Sequence, residues 1–366
     1  LHICNKTPIV VVGFESEKVQ EFIGDRAKIV LQKQQLGTGH ALHQTADVLR
    51  GQVDMILVWA ADMPLLSKDI LEAVANCQSE NEGPVSIVTA ISDNDRGFGR
   101  VVRSERGEVQ AVVEQSDATF EQLAINELNV GVYCFESLWL WDELSTLKPS
   151  ANGEYYLTDL IESAASQSQK IGVVTSNAED EIIGINTRIH LAEAETALRT
   201  RINHSWMERG VTLIDPDNTY IGPNVDIGLD TIVLPNTSLQ GNTVIGSECT
   251  LGPNSTIRDS VIGDHCKVEC SVIEQATLED EVDVGPFGHL RPGTHLSNGV
   301  HIGNFGEVKN SYFGPGVKMG HFSYVGDATV GARSNIGAGA ITCNYGMDKN
   351  KHRTEIGEDV FIGSDT

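Results

Sequence analysis

From Ile221 onward an aliphatic residue returns every six positions: Ile221, Ile227, Val233, Leu239, Ile245, Leu251 and Ile257 hold one register. Gly follows at Gly222, Gly228, Gly246 and Gly252. After slips of a residue or a loop the pattern resumes at Val284, Leu290, Leu296, Ile302 and Val308, returns at Met319 and Val325, and again at Ile336, Ile356 and Ile362. Strands repeat at two and helices near 3.6. A sustained six, with Gly, Asn and Asp between the aliphatics, is the spacing of a hexapeptide β-helix. Each aliphatic then enters a narrow triangular core, and the small polar residues after it turn the corner. A turn-rich β-sandwich would place strands about every 8–12 residues without fixed phase, which is not the pattern here.

The first half reads differently. Strands are expected at residues 8–12, 28–31, 55–58 and 85–89, with helices at 17–23, 37–48 and 67–77, Ser67 capping the last. Such alternation predicts an α/β domain with a largely parallel sheet, whose ligands lie beyond the carboxyl ends of the strands. Residues 97–134 read as an antiparallel patch of three strands after the βα units. A helix starts near Leu157. Residues 188–208 form a further helix, ended by Gly210, that would connect the two halves.

The chain has 366 residues and a formal charge of −25, from 26 basic and 51 acidic side chains. That balance argues against nucleic acid or an anionic membrane as partner, but a local Arg or Lys can still hold a phosphorylated small ligand. The Cys residues (Cys4, Cys77, Cys134, Cys249, Cys266, Cys270 and Cys343) form no CxxC pair and no zinc spacing. They read as small core hydrophobes in a reducing compartment. No apolar run reaches the ~18 residues a membrane span needs.

Asp62 ends an apolar strand in "AADMPLL", before the rigid turn at Pro64. It is the best metal-ligand candidate, with Asn186 of "GINTR" as a second oxygen donor; Mg²⁺ often uses few protein groups plus substrate phosphates. "QQLGTGH", residues 34–40, sets small residues between a strand and a helix start, where backbone N–H groups can hold a phosphate or a base edge. There is no GxxxxGK[ST]. In the second half Arg291 and Lys309 suggest a sugar-phosphate pocket, because Arg offers a fork to phosphate oxygens and Lys a point charge; alternatively they are solvated surface charges. His321, in "GHFSYVGD", could be a general base or an ordinary surface His. The Gly- and Ala-rich "NIGAGAITCNY" would let a ligand approach the backbone.

The order "QLGTGHAL", "ADMPLL", "GFGRVV", "VVEQSDA", "ELNVG", "GEYYLTD" and "GINTR", followed by the hexapeptide ladder, resembles the bacterial bifunctional N-acetylglucosamine-1-phosphate uridylyltransferase/glucosamine-1-phosphate N-acetyltransferase family over nearly the whole chain. The resemblance implies a Rossmann-like α/β nucleotidyltransferase domain over residues 1–187, a linker helix over 188–210 and a left-handed parallel β-helix acetyltransferase domain over 211–366, both domains incomplete. It implies that Gln35, Gly37 and Thr38 hold the uridine of UTP, that Asp62 and Asn186 hold Mg²⁺, and that Gly99, Glu114, Asn129, Tyr156 and Thr158 hold N-acetylglucosamine. In the β-helix it implies that Arg291, Lys309, Tyr324 and Asn335 bind glucosamine 1-phosphate and that His321 is the catalytic base. Ala338, Asn344, Tyr345 and Ser364 would border acetyl-CoA. A cytoplasmic homotrimer is implied as well.

The sequence also departs from that family. The amino-terminal "LAAGxGTRMxSxxPK" loop does not occur, and further coils follow the counterpart of Thr366, so a fragment short of both ends is expected, with uridylyl transfer belonging to the full-length protein. The family's "YGD" is Ala60-Ala61-Asp62, its "N[TS]G" is Asn129-Val130-Gly131, Ala340 replaces Thr, and "NYGM" replaces "NYDG". Two other readings stay open: a sugar nucleotidyltransferase whose hexapeptide tail serves only assembly or regulation, and a noncatalytic trimeric scaffold.

Overall fold

The computed structural model describes residues 6–94, 96–178 and 180–366; Cys4 lies outside them. The chain divides into two compact units, Leu1–Ala194 and Glu195–Thr366.

In the first unit β1 (Ile9–Val12) and β2 (Lys28–Leu31) pair in parallel as a sheet of their own. A second sheet holds β3 (Met55–Trp59), β4 (Val85–Ile91), β5 (Arg100–Arg103), β6 (Val109–Val113), β7 (Glu127–Glu136) and β8 (Ile171–Ser176). Only β4 and β8 are parallel there among the described residues; β7 runs antiparallel to β3, β4 and β5. The expected largely parallel sheet is therefore corrected. "ELNVGVYCFE" is a single ten-residue strand. Its carboxyl half inserts between β3 and β4, and Leu128 near its start reaches β5, so the βα units and the antiparallel patch share one sheet. Around it lie α1 (Ser16–Ile23), α2 (Thr38–His43), α3 (Ala46–Leu49), α4 (Lys68–Glu80), α5 (Phe120–Leu123), α6 (Ser137–Leu144) and α7 (Asp159–Ser166). The Ser67 side chain accepts from Ile70 N and caps α4. The single helix expected over 37–48 is two, because Thr45 turns its buried hydroxyl back to the carbonyl of Leu42 at 2.8 Å.

Helix α8 (Arg188–Glu208) spans the division between the units. Its last turns pack Ile202, Trp206 and Met207 onto the core of the second unit, and Gly210 follows at φ 92°.

The second unit is a left-handed parallel β-helix. Two- to four-residue strands visit three sheets in rotation. Registers carry the core as continuous columns: Ile221–Leu239–Ile257–Ile273–Leu290–Val308–Val325 on one face, and Ile227–Ile245–Ile262–Leu278–Leu296–Phe313–Val330–Ile356 on the next. The third runs Leu213–Val233–Leu251–Val268–Val284–Ile302–Met319 and, past Ile336, to Ile362. At the corners Asp230, Asn236, Glu248 and Asn254 adopt positive φ, the left-handed turn that Asp and Asn accept most readily. A Cβ on Gly228 would stand 2.5 Å from the carbonyl carbon of Gly246, so stacked corner glycines let successive coils close up.

The core is not purely apolar. The buried hydroxyl of Ser311 donates to Lys309 O at 2.8 Å and accepts from Ala328 N at 2.9 Å, and Thr231, Ser260 and Ser271 bridge coils in the same way. Such corner groups would otherwise be buried without partners. Cys134, Cys249 and Cys266 are buried as expected, whereas Cys343 is exposed. No described helix is long and apolar enough to cross a membrane.

Candidate active sites

In the first unit the loop before α2 is clasped to the segment before α7. Tyr155 N donates to Leu36 O at 2.8 Å, Gly39 N to Tyr155 O at 2.8 Å, and Leu157 N to the Thr38 hydroxyl at 3.0 Å. Gly37 sits at φ 96°, and a Cβ there would meet Tyr155 O at 2.6 Å, so no larger residue fits the clasp. Gln35 Nε2 donates to Gln32 O. The amide of Gly39 is thus already spent on Tyr155, which leaves fewer free N–H groups at this helix start than the sequence suggested.

Residues 155–158 join this clasp to a second cluster. The Thr158 hydroxyl donates to Glu114 Oε1 at 2.9 Å, and Asn129 N donates to Gly99 O at 2.9 Å. Burial pushes the Glu114 carboxyl above its ordinary range, against the Thr158 hydrogen bond. Asn129 is buried, donates Nδ2 to Tyr133 Oη at 2.7 Å, and leaves Oδ1 without a partner. An orphaned buried acceptor costs free energy unless something else satisfies it; a sugar hydroxyl or amide N–H is suited to do so. The Asn152 amide bonds the Tyr156 hydroxyl. Near another strand end, Ile185 N donates to Asp62 O at 2.9 Å, so Asn186 follows directly on a residue bonded to Asp62; both side chains are exposed. One carboxylate and one amide oxygen, both hard donors open to solvent, fit a hard cation that completes its shell with phosphate and water.

In the β-helix Arg291, Lys309 and Tyr324 stand on one face. Arg291 N bonds Val308 O, Lys309 pairs with Gly326, and Glu307 with Tyr324. Arg291 Nη1 is 2.9 Å from Glu307 Oε1. The Tyr324 ring folds over Gly326, where a Cβ would meet its hydroxyl at 2.3 Å. Asn344 Nδ2 reaches both Tyr324 Oη, at 3.4 Å, and Asp327. Lys351, within hydrogen-bonding reach, and then Arg291 pull the Lys309 ammonium below the usual lysine range, while Asp327 opposes them. Three cations thus converge in a strongly acidic protein. Exposed His321 lies at the corner that leads into this face from the strand Lys318–Met319. Ala338 and Ser364 stack beside that corner, where Gly339 N bonds Phe322 O and Asp365 N bonds Ala338 O. Asn335 pairs with Lys318 and Phe361 on a different face, away from Arg291 and Lys309.

The nucleotidyl transferase family profile matches residues 2–208. The bifunctional protein GlmU of Exiguobacterium sibiricum is 45% identical over 97% of this chain and 79% of its own length. Its namesake from Carboxydothermus hydrogenoformans is 44% identical over 99% of this chain and 80% of its own. That of Clostridium beijerinckii is 44% identical over 98% and 78%. The chain belongs to the bifunctional GlmU family. It is accordingly a bifunctional enzyme with a nucleotidyltransferase half.

Two features of this GlmU-family chain escape sequence reasoning. Lys351 joins Lys309 because the insertion at residues 342–353 folds back over the coil: Tyr345 bridges to Lys351, and His352 N donates to Asn344 O at 2.8 Å. The local signal, Lys351-His352-Arg353, reads only as a charged loop. Asp327 is the second; the motif "GHFSYVGD" includes it without marking what it holds.

Proposed function

We propose that the chain serves UDP-N-acetylglucosamine synthesis. The β-helix transfers acetyl from acetyl-CoA to glucosamine 1-phosphate. The nucleotidyltransferase unit then transfers uridylyl from UTP to N-acetylglucosamine 1-phosphate. The observation that carries this is the approach of Lys351 to Lys309 on the face that also bears Arg291, in a chain of net charge −25, with exposed His321 at the corner that leads into that face. Arg291 and the two lysines grip the sugar phosphate. His321 takes the proton that the amino group sheds as its lone pair attacks the thioester carbon, and the coenzyme leaves as the thiolate when the C–S bond breaks. Asn344, Tyr345, Ala338 and Ser364 border the coenzyme.

In the other unit Gln35, Gly37 and Thr38 place the uridine, and Gly99, Glu114, Asn129, Tyr156 and Thr158 place the sugar. A phosphate oxygen of the sugar phosphate attacks the α-phosphorus of UTP, and pyrophosphate departs. Asp62 and Asn186 would hold Mg²⁺, which when bound neutralises phosphate charge. The protein's own task is alignment of the two substrates.

Assembly as a homotrimer belongs to the same reading, and one observation supports packing of adjacent copies. Asn335 and Arg291 point away from different faces of one β-helix. One small ligand meets both only when two copies lie side by side. Separate assays of the full-length protein test the proposal: thiol release from acetyl-CoA must depend on glucosamine 1-phosphate, and pyrophosphate release from UTP on N-acetylglucosamine 1-phosphate. Failure of either removes that half. A stable monomer in sedimentation at micromolar concentration removes the trimer.

A further inference from the structure

Asp327 is a charged residue held almost entirely out of solvent, at 7% exposure, on a left-handed corner with φ 52°. A carboxylate in that position has to be paired. Its Oδ1 accepts from Asn310 Nδ2 at 2.6 Å, and its Oδ2 from Asn344 Nδ2. Lys351 Nζ stands 3.9 Å from Oδ2. Its main chain is equally engaged: Asp327 N donates to Lys309 O at 3.0 Å, and Asp327 O accepts from Thr354 N at 3.1 Å. One residue earlier, Gly326 exchanges hydrogen bonds with the Thr342 hydroxyl at 2.8 and 3.1 Å. Both ends of the 342–353 insertion therefore fasten to Gly326-Asp327. The loop itself is otherwise poorly buried; Met347 is fully exposed.

We infer that Asp327 is a positioning residue for acetyl transfer, the anchor that sets Asn344 and Lys351 of the insertion over Lys309 so that the sugar phosphate meets a preformed cationic grip. Rotamer-rich lysines pay entropy when they close on a ligand, and two ammonium groups repel each other until an anion arrives. A buried carboxylate beside them offsets that repulsion while the site is empty, and its two amide partners fix where it stands. The amide of Asn310 first, and then Asn344 and the lysines, hold the Asp327 carboxyl below its usual range, so it is charged when the site works. Asp327 itself need not touch substrate. Its effect reaches the reaction through the loop.

This inference rests on the proposed acetyl transfer, and the test separates the two. Full-length wild type, Asp327→Asn, Lys351→Ala and the double variant are assayed for acetyl transfer at varied glucosamine 1-phosphate. Asp327→Asn keeps the shape, loses the charge and sets one new Nδ2 donor against an amide donor; it should raise KM for the sugar phosphate about tenfold or more, as loss of a hydrogen-bonded charge does, with its uridylyl transfer close to wild type. With Lys351→Ala already present, Asp327→Asn should add less than its separate effect. Asp327→Glu, which keeps the charge but displaces it by a methylene, should also raise KM and serves if the Asn variant does not fold. An Asp327→Asn KM within twofold of wild type, a loss of kcat alone together with a lowered melting temperature, or effects that multiply in the double variant would each overturn the inference. Wild-type protein unable to acetylate glucosamine 1-phosphate would overturn the underlying reading, and this one with it.

Discussion

The Thr158 hydroxyl donates to Glu114 Oε1 at 2.9 Å, across the gap between α7 and the end of β6. It is a partial answer to a costly burial. Glu114 titrates above its ordinary value of 4.5 in the folded chain because it is desolvated, and the Thr158 bond recovers only part of that cost. A carboxyl raised on folding contributes stability that is present below its unfolded value and is lost as pH rises through the folded one. Glu114→Gln should therefore match wild type near pH 4.5 and exceed it in stability at about pH 8, while N-acetylglucosamine 1-phosphate binding weakens. Denaturant melts at the two pH values check this; an equal difference at both would show that the gain is not electrostatic. Asp159, raised by burial and then by Glu162 and Glu114, should titrate closer to normal in the same variant.

Ile185 N bonds the Asp62 carbonyl, which sets Asn186 one residue from that contact and leaves the Asp62 carboxylate out of it. Asp62→Ala should lower uridylyl transfer by about 10²-fold or more, as loss of a metal ligand does, and leave acetyl transfer unchanged. Unaltered UTP turnover at saturating Mg²⁺ would remove Asp62 from the metal site.

The ladder of sixes made the β-helix legible, because a triangular coil admits one inward aliphatic per side. What it hid were the rungs at Ile262, Ile273, Leu278, Phe313 and Val330, each buried and each reached by a step of five. At those corners one residue is dropped before the left-handed position, as at Asp259 between Ile257 and Ile262. A strict period therefore sees a break where the core is continuous. In the first unit, the strands up to β7 were legible from their apolar runs, whereas β8 was not expected. The pairing of the strands was not legible, because β7 is largely buried on both faces and alternation could not say which strands flank it. The sites divide the same way. Thr38, Glu114 and Thr158 lie in motifs, but the bonds that join them run between segments far apart in sequence. Lys351 owes its place to the fold of a loop and carries no periodic signal.

Phe313 offers a measure of those hidden rungs. It is wholly buried, with Leu296 on one side of its column and Val330 on the other. Phe313→Ala should cost about 3–5 kcal/mol, from lost transfer energy and the cavity left behind. Phe313→Leu should cost markedly less. Chemical denaturation followed by circular dichroism gives both values; a loss under about 1 kcal/mol for the Ala variant would mean that the coil collapses locally around the gap.

His321 carries the sharpest test of the acetyl-transfer chemistry. It is exposed at a corner between faces, and no hydrogen bond to its ring is found among the described residues. An amine must be unprotonated to attack a thioester and sheds a proton as the C–N bond forms. A free imidazole at that point can accept the proton, and such help is worth about 10²–10⁴-fold. The alternative is that His321 only hydrogen-bonds the sugar, with proton loss left to solvent. The two differ in which constant moves. His321→Ala should lower kcat for acetyl transfer by about 10²-fold or more, leave glucosamine 1-phosphate binding nearly unchanged in calorimetry, and spare uridylyl transfer. His321→Gln, which keeps a donor and an acceptor but has no titrating nitrogen, should be as slow as the Ala variant if proton transfer is the role. A Gln variant within about fivefold of wild-type kcat, against the 10²-fold that a lost base costs, would make His321 a binding residue and leave the base to another group.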